Sequence, residues 1–230
     1  MSGRNNRLAQ GFSACSGSLL YNNWDCGMNK TLNYYAQNAE KYSADTVAVE
    51  FSDVQNRFLA HLAPGAAILD FGCGSGRDTK AFLDQGYHVT AVDGSPELCA
   101  IASAYTGVPV RQMLFQELDD HEIYDGIWAC ASILHVQTIE LPNVFRRMIT
   151  ALKPVGFVYT SFKFGTFEGE RNSRWFCDFT EETFAEFLRQ FPELSINDQW
   201  ISTDVRPGRN DERWLNVILQ KLANPISSAE

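Results

Sequence analysis

Long apolar runs, paired cysteine motifs, tracts of glycine or proline and an excess of basic charge are all missing from this chain of 230 residues. No stretch approaches the roughly 20 apolar residues of a membrane-spanning helix, so no membrane association is expected. The six cysteines, Cys15, Cys26, Cys73, Cys99, Cys130 and Cys177, form no C-x-x-C pair. Scattered thiols suit a reduced, cytoplasmic protein better than a disulfide framework, which belongs to shorter secreted chains. His61, His88, His121 and His135 show no metal-ligand spacing, so no metal is expected. With 19 basic against 28 acidic side chains, the net charge of −9 argues against a nucleic-acid partner, which would need a surplus of lysine and arginine to neutralise phosphates. A local basic patch is not excluded. The 45% hydrophobic content is too high for a disordered chain and sufficient for one substantial core.

What is present is an alternation of strands and helices. Residues 1–28, rich in Asn, Ser and Gly, read as a flexible N-terminal arm, and residues 29–230 as one domain. Helical spacing begins near Thr31 and covers 32–42 and 47–62. Short apolar runs over 67–71, 88–92, 108–113, 124–131 and 157–162 read as strands, with helices over 78–85, 96–105 and 141–152 between them. This order predicts an α/β fold with a parallel sheet covered on both faces. Lys153-Pro154-Val155-Gly156 breaks the third of these helices. A further helix over 180–191 precedes two strand-like runs, 194–203 and 214–221, joined by the turn-rich Arg206–Asn210. Such a hairpin on the sheet edge makes the last strand antiparallel.

The most informative segment is Asp70-Phe71-Gly72-Cys73-Gly74-Ser75-Gly76, between the first strand and the following helix. Ligands of open α/β sheets bind at this edge, outside the carboxyl ends of the strands. A dinucleotide fingerprint G-x-G-x-x-G fails here, because its third glycine falls on Arg77. The pattern is G-x-G-x-G, preceded by Asp70 and followed by Asp93 at the end of the second strand. A carboxylate there can accept hydrogen bonds from both hydroxyls of a ribose. Each element has a plainer reading as a turn, a cap or a surface carboxylate, but their joint placement favours a ligand.

With Tyr124-Asp125-Gly126-Ile127-Trp128 as fourth strand and Leu152-Lys153-Pro154-Val155-Gly156 before the fifth, the chain from about Tyr34 onward resembles the class I S-adenosylmethionine-dependent methyltransferases. The overall look is similar to small bacterial members grouped with tellurite-resistance proteins. The resemblance implies a Rossmann-like, seven-stranded, mostly parallel sheet with an antiparallel last strand. It implies S-adenosyl-L-methionine as cofactor, with Asp70, Gly72, Cys73 and Gly74 toward its methionine portion and Asp93, Gly94 and Ser95 at its ribose. Leu114 and Phe115 would flank adenine, Cys130 and Ala131 would sit beside the cofactor, and Tyr34 and Tyr42 would belong to a lid helix, one face of which they share at a spacing of eight. The chain departs from the family's pattern in lacking an acidic residue near Leu114 and in carrying Val155 for a glycine of L-K-P-G-G. Cys73 and Cys130 have no basic neighbour in sequence and read as packing residues rather than nucleophiles.

Methyl transfer demands mainly that the acceptor be held in line and close. A base is needed only where the acceptor must lose a proton. His135, after the fourth strand, is the candidate catalytic base, with a structural histidine the equal alternative. Lys163, Arg171, Arg174, Arg206 and Arg213 are candidate substrate-binding cations, suited to clamping a carboxylate or phosphate; an exposed, solvated hairpin is the plainer account. The fourth strand lacks the Asn/Asp-Pro-Pro-aromatic or Pro-Cys runs of the family's DNA-modifying members. The expectation is therefore methylation of a small molecule, of which an anion is one the arginines suit. A protein or RNA methyltransferase and a non-catalytic S-adenosylmethionine-binding domain stand as alternatives.

Overall fold

The computed structural model describes residues 21–206, 208–209 and 211–223. Of the expected N-terminal arm, residues 1–20 lie outside the described residues, while helix α1 (Tyr21–Thr46) takes up the remainder and starts well before Thr31. A short helix α2 (Ser52–Leu59) follows, and then the sheet begins.

Strands β1 (Ala67–Phe71), β2 (His88–Asp93), β3 (Val110–Gln112), β4 (Tyr124–Ala129) and β5 (Leu152–Lys163) are joined through helices α3 (Arg77–Asp84), α4 (Pro96–Thr106) and α5 (Leu141–Ala151). A small hairpin, β6 (Glu168–Arg171) and β7 (Arg174–Cys177), then leads to helix α6 (Glu181–Leu188) and to β8 (Leu194–Thr203) and β9 (Arg213–Lys221). The seven-stranded sheet runs β3-β2-β1-β4-β5-β9-β8. Strands β1 to β5 are parallel, and β9 is antiparallel to both β5 and β8. This is the expected architecture, a Rossmann-like sheet with an antiparallel last strand.

Successive side chains of the central strands alternate between two cores. Leu69, Ile127, Val158 and Leu219 face the layer that holds α5 and α6. Ile68, Trp128, Tyr159 and Ile218 face Phe58 and Phe82, where the Trp128 and Tyr159 rings stack with centroids 4.1 Å apart. Burial of both faces is what a parallel sheet with crossover helices requires. Among the described residues no helix is long and apolar enough to cross a membrane.

Two boundaries differ from the sequence expectation. Lys153–Gly156 does not separate α5 from a strand; β5 starts at Leu152, irregularly paired with β4 between Tyr124 and Gly126, and absorbs the breaker as a kink. The segment 168–177, for which the sequence pattern predicts no strand, is the β6–β7 hairpin, paired in its own two-stranded sheet. The hairpin is tied to α1 by an ion pair between Lys30 and Glu170 at 2.9 Å and by the Trp175 amide donating to Thr31 Oγ1 at 2.9 Å. These contacts fix the helix and the hairpin over the carboxyl edge of the sheet.

Candidate active site

At that edge the chain leaves β1 into the glycine loop. Gly72 has φ +90° and Gly74 +56°, left-handed values that glycine adopts without strain. Space requires glycine as well: a Cβ on Gly72 would lie 2.5 Å from Ser132 Cβ, and one on Gly74 would lie 3.1 Å from the Tyr42 ring. The amides of Gly72 and Cys73 both donate to the Val92 carbonyl at 2.9 Å, which pins the loop to the end of β2. Asp93 completes the arrangement. Its Oδ2 accepts from the Gly74 amide and its Oδ1 from the Ser95 amide, both at 2.9 Å. Burial pushes its carboxyl up, while the amides of Ser95, Gly74 and Gly94 hold it down.

A cavity opens in front of this carboxylate. Gly72, Gly74, Asp93 and Gly94 line one side, and Leu32, Leu98, Met113, Leu114 and Phe115 give an apolar wall. Tyr42, Ala131, Ser132 and His135 close it toward a second, larger cleft of about 460 Å³. The two share Tyr35, Tyr42, Gly72, Ala131 and His135, so they adjoin across these residues. A fixed carboxylate with lone pairs to spare and an apolar slot beside glycine backbone fit a ribose and a planar base. The donor set suits an adenosine-bearing ligand.

Three of the expected cofactor residues line neither cavity. Asp70 is buried under the loop, where it accepts from Thr79 Oγ1 at 2.5 Å, and burial together with the Asp78 charge pushes its carboxyl up to about 8. Ser95 caps α4, its Oγ accepting from the Leu98 amide at 3.3 Å. Tyr34 lies beneath the Arg174 guanidinium, 4.3 Å from ring centroid to Cζ. The residue that replaces it in the cavity is Tyr35. A spacing of seven turns a helix by only about 20°, whereas eight turns it by about 80°, so Tyr35 and not Tyr34 shares a face with Tyr42. Their rings meet edge to face at 5.1 Å. Leu32, Leu98, Met113 and Ser132 were also missed; only their position beside the loop ends could have flagged them.

The cleft collects the remaining residues, including Cys73, Cys130, Lys163, Arg171, Arg174, Arg206 and Arg213. Burial pushes the Cys130 thiol up to about 12, so it is no nucleophile at neutral pH. His135 is engaged at both ring nitrogens. Its Nδ1–H donates to the Trp175 carbonyl at 2.6 Å, leaving Nε2 to accept from Tyr35 Oη–H at 2.9 Å. Burial pushes the imidazole down to about 4, Arg174 pushes the same way, and only the Trp175 carbonyl opposes.

Most of the cations expected to clamp an anion are already neutralised. Lys163 pairs with Glu212 and lies 3.4 Å from Asp204. Arg206 binds Asp204 at 2.6 Å and Arg171 binds Asp178 at 2.5 Å. Arg77, on the opposite wall, chelates Asp78 at 2.8 and 2.9 Å. Arg213 stacks on Phe164 at 4.4 Å. Arg174 has no carboxylate within ion-pair distance among the described residues; its neighbours are the faces of Tyr34, Tyr35 and Phe176 and the Tyr35 hydroxyl at 3.5 Å.

Residues 68–156 match the sequence profile of a methyltransferase domain. The chain carries a class I, S-adenosylmethionine-dependent methyltransferase domain. An uncharacterized methyltransferase of Staphylococcus carnosus is 25% identical over 190 residues, covering 79% of this chain and 90% of that protein. A ubiquinone biosynthesis O-methyltransferase of Rickettsia conorii is 31% identical over 99 residues, covering 41% of this chain and only 34% of its own length. The crystal structure of 1,6-didemethyltoxoflavin-N1-methyltransferase from Burkholderia thailandensis superposes with a TM-score of 0.68 at 24% identity, covering 93% of this methyltransferase and 94% of that chain. That likeness establishes the fold.

Proposed function

We propose that the methyltransferase moves a methyl group from S-adenosylmethionine to a small molecule held in the larger cleft, and that anions are among its acceptors. The observation that carries this reading is that the two cavities adjoin, sharing Tyr35, Tyr42, Gly72, Ala131 and His135 as common walls. When bound, S-adenosylmethionine supplies an electrophilic methyl carbon on a positively charged sulfur. Asp93 would take the ribose hydroxyls, Leu114 and Phe115 the adenine faces, and the Gly72–Gly74 backbone the chain leading toward sulfur. Tyr35, Tyr42 and the β6–β7 hairpin roof the junction and keep water from it, while the cleft walls hold the acceptor in line. A cleft of about 460 Å³ favours a small acceptor over a macromolecule. The Burkholderia enzyme, crystallised with 1,6-didemethyltoxoflavin and S-adenosylhomocysteine, supports the donor and a small-molecule acceptor by analogy of fold. The four described cysteines are free, which suits a cytoplasmic setting.

Calorimetric titration tests the donor: S-adenosylhomocysteine should bind and NAD should not. Asp93→Ala should weaken that binding at least tenfold, and an unchanged affinity would remove the ribose assignment. Labelled S-adenosylmethionine incubated with metabolite pools, RNA and protein should transfer label to the metabolite fraction. Label in RNA or protein alone would overturn the small-molecule reading.

A further inference from the structure

The proposal here rests on the methyltransferase reading and specifies the acceptor. Among the described residues that line the cleft, no buried base is free to remove a proton. Asp78 accepts from Arg77, from Gln55 Nε2 at 2.6 Å and from Trp128 Nε1 at 2.8 Å. Asp178 is held by Arg171, Asp204 by Arg206 and by Trp214 Nε1 at 3.1 Å, and Glu212 by Lys163 and Arg209. Asp211 stands exposed at the rim. The His135 lone pair is occupied by the Tyr35 hydroxyl, and a proton placed on that ring would sit buried beside Arg174.

Against this, two cations of the cleft, Arg174 and Arg213, pair with no carboxylate among the described residues; Arg213 is exposed and stacked on Phe164, whereas Arg174 is partly buried. Arg174 lies between the Tyr34 and Phe176 rings, at 4.3 and 5.2 Å, and its Nε is buried with no hydrogen-bond partner. A buried guanidinium N–H left unsatisfied is costly and points to a missing acceptor atom. Around it the lining is rich in flat rings: Tyr35, Tyr42, Phe51, Phe164, Phe176 and Trp214.

We propose that the acceptor is a planar, aromatic acid that arrives already ionised, docks its negative charge on Arg174, and is methylated without proton removal by the protein. The bond from its nucleophilic atom to the methyl carbon forms as the carbon–sulfur bond breaks. The electron pair stays on sulfur, the positive charge on sulfur and the negative charge on the acceptor cancel, and no proton moves. His135 is then a positioning residue: anchored to the Trp175 carbonyl, it holds the Tyr35 hydroxyl beside Arg174.

The test uses shape-matched pairs that differ in charge, benzoate against benzamide and picolinate against picolinamide, added to the full chain saturated with S-adenosylhomocysteine. Thermal shift should show stabilisation by the two acids and at least tenfold weaker binding of the two amides. Arg174→Gln should abolish the preference while S-adenosylhomocysteine affinity stays within about threefold of wild type, which shows that the variant is folded. Amides binding as well as acids, or no member binding, would overturn the proposal. For any ionisable aromatic acceptor turned over, kcat/KM should rise with pH along the acceptor's own ionisation. His135→Asn should lower the rate but keep that profile. A profile whose midpoint is independent of the acceptor and disappears in His135→Asn would make His135 a base and sink the idea. Failure of S-adenosylhomocysteine to bind wild type would instead refute the donor reading, so the two failures are separable.

Discussion

The two halves of the site are built from different materials. The donor half, at the ends of β1 and β2, is mostly backbone: left-handed glycines, amides pinned to the Val92 carbonyl and one carboxylate fixed by two amides. The acceptor half, at the ends of β5 and β9 and under the hairpin, is made of side chains from distant segments. Lys163, Asp204, Arg206 and Glu212 neutralise one another there, as do Arg171 and Asp178. A backbone-built site tolerates almost no change in its few residues and presents one invariant shape. A site of paired side chains can exchange members while the fold stands, and the pairs hide which charges remain for a ligand.

Gly72→Ala attacks the donor half where it is tightest and should have the largest effect. The new methyl meets Ser132 Cβ at 2.5 Å, and Ser132 cannot easily yield because its Oγ donates to the Phe71 carbonyl at 2.6 Å. Overpacking and a left-handed alanine together should cost about 2–4 kcal/mol. S-adenosylhomocysteine binding should fall below detection in calorimetry while circular dichroism at low temperature still reports the fold. Retained affinity would show that the loop has slack and that the contrast between the halves is false.

The same contrast governs what could be read from the sequence. Sheet order, loop and ribose carboxylate follow from local patterns, since strand, glycine turn and terminal Asp93 are contiguous or nearly so. Asp70 misled because a pattern gives a residue's position and not its direction: its carboxylate turns inward to Thr79. Tyr34 was mistaken for Tyr35 because a spacing of seven or eight decides which face of α1 meets the cavity. The cations expected to bind substrate all line the cleft, but their neutralisation was not visible in the sequence. Lys163 meets Asp204 across 41 residues, and the partners come together only when β9 pairs with β5. Nothing in the sequence marked Arg174 and Arg213 as the two left without a carboxylate.

Asp204→Asn probes the acceptor half and should have an intermediate effect. The Arg206 guanidinium and amide and the Trp214 indole N–H hold this nearly inaccessible carboxyl well below the usual carboxylate range, overcoming the opposing effect of burial. A carboxylate whose folded pKa is depressed adds stability above its unfolded value, near 4, and loses it as pH falls through that value toward the folded one. Wild type should therefore exceed the variant by about 1–3 kcal/mol at pH 7 in urea unfolding, and the gap should shrink below about pH 4. S-adenosylhomocysteine affinity should hold, because Asp204 does not line the donor cavity. A gap that is constant with pH would mean the charge contributes nothing.

Val155→Gly touches neither half and should have the smallest effect. Val155 lies near the start of β5, at the end of the sheet away from the site, with φ +59° and half its surface exposed at 54%. A β-branched side chain in the left-handed region is strained, by roughly 1–2 kcal/mol for an L-residue. Glycine removes that strain but gives back about 0.5–1 kcal/mol through the greater freedom of the unfolded chain. The net gain of about 0.5–1 kcal/mol should raise Tm by about 1–4 °C in a chain of this size. Its value lies in the control it supplies: the melting temperature should rise with no change in donor affinity or acid preference. If either binding property shifted with it, stability and site would be coupled through β5, and the losses measured in Gly72→Ala and Asp204→Asn could no longer be assigned to the halves in which those residues lie.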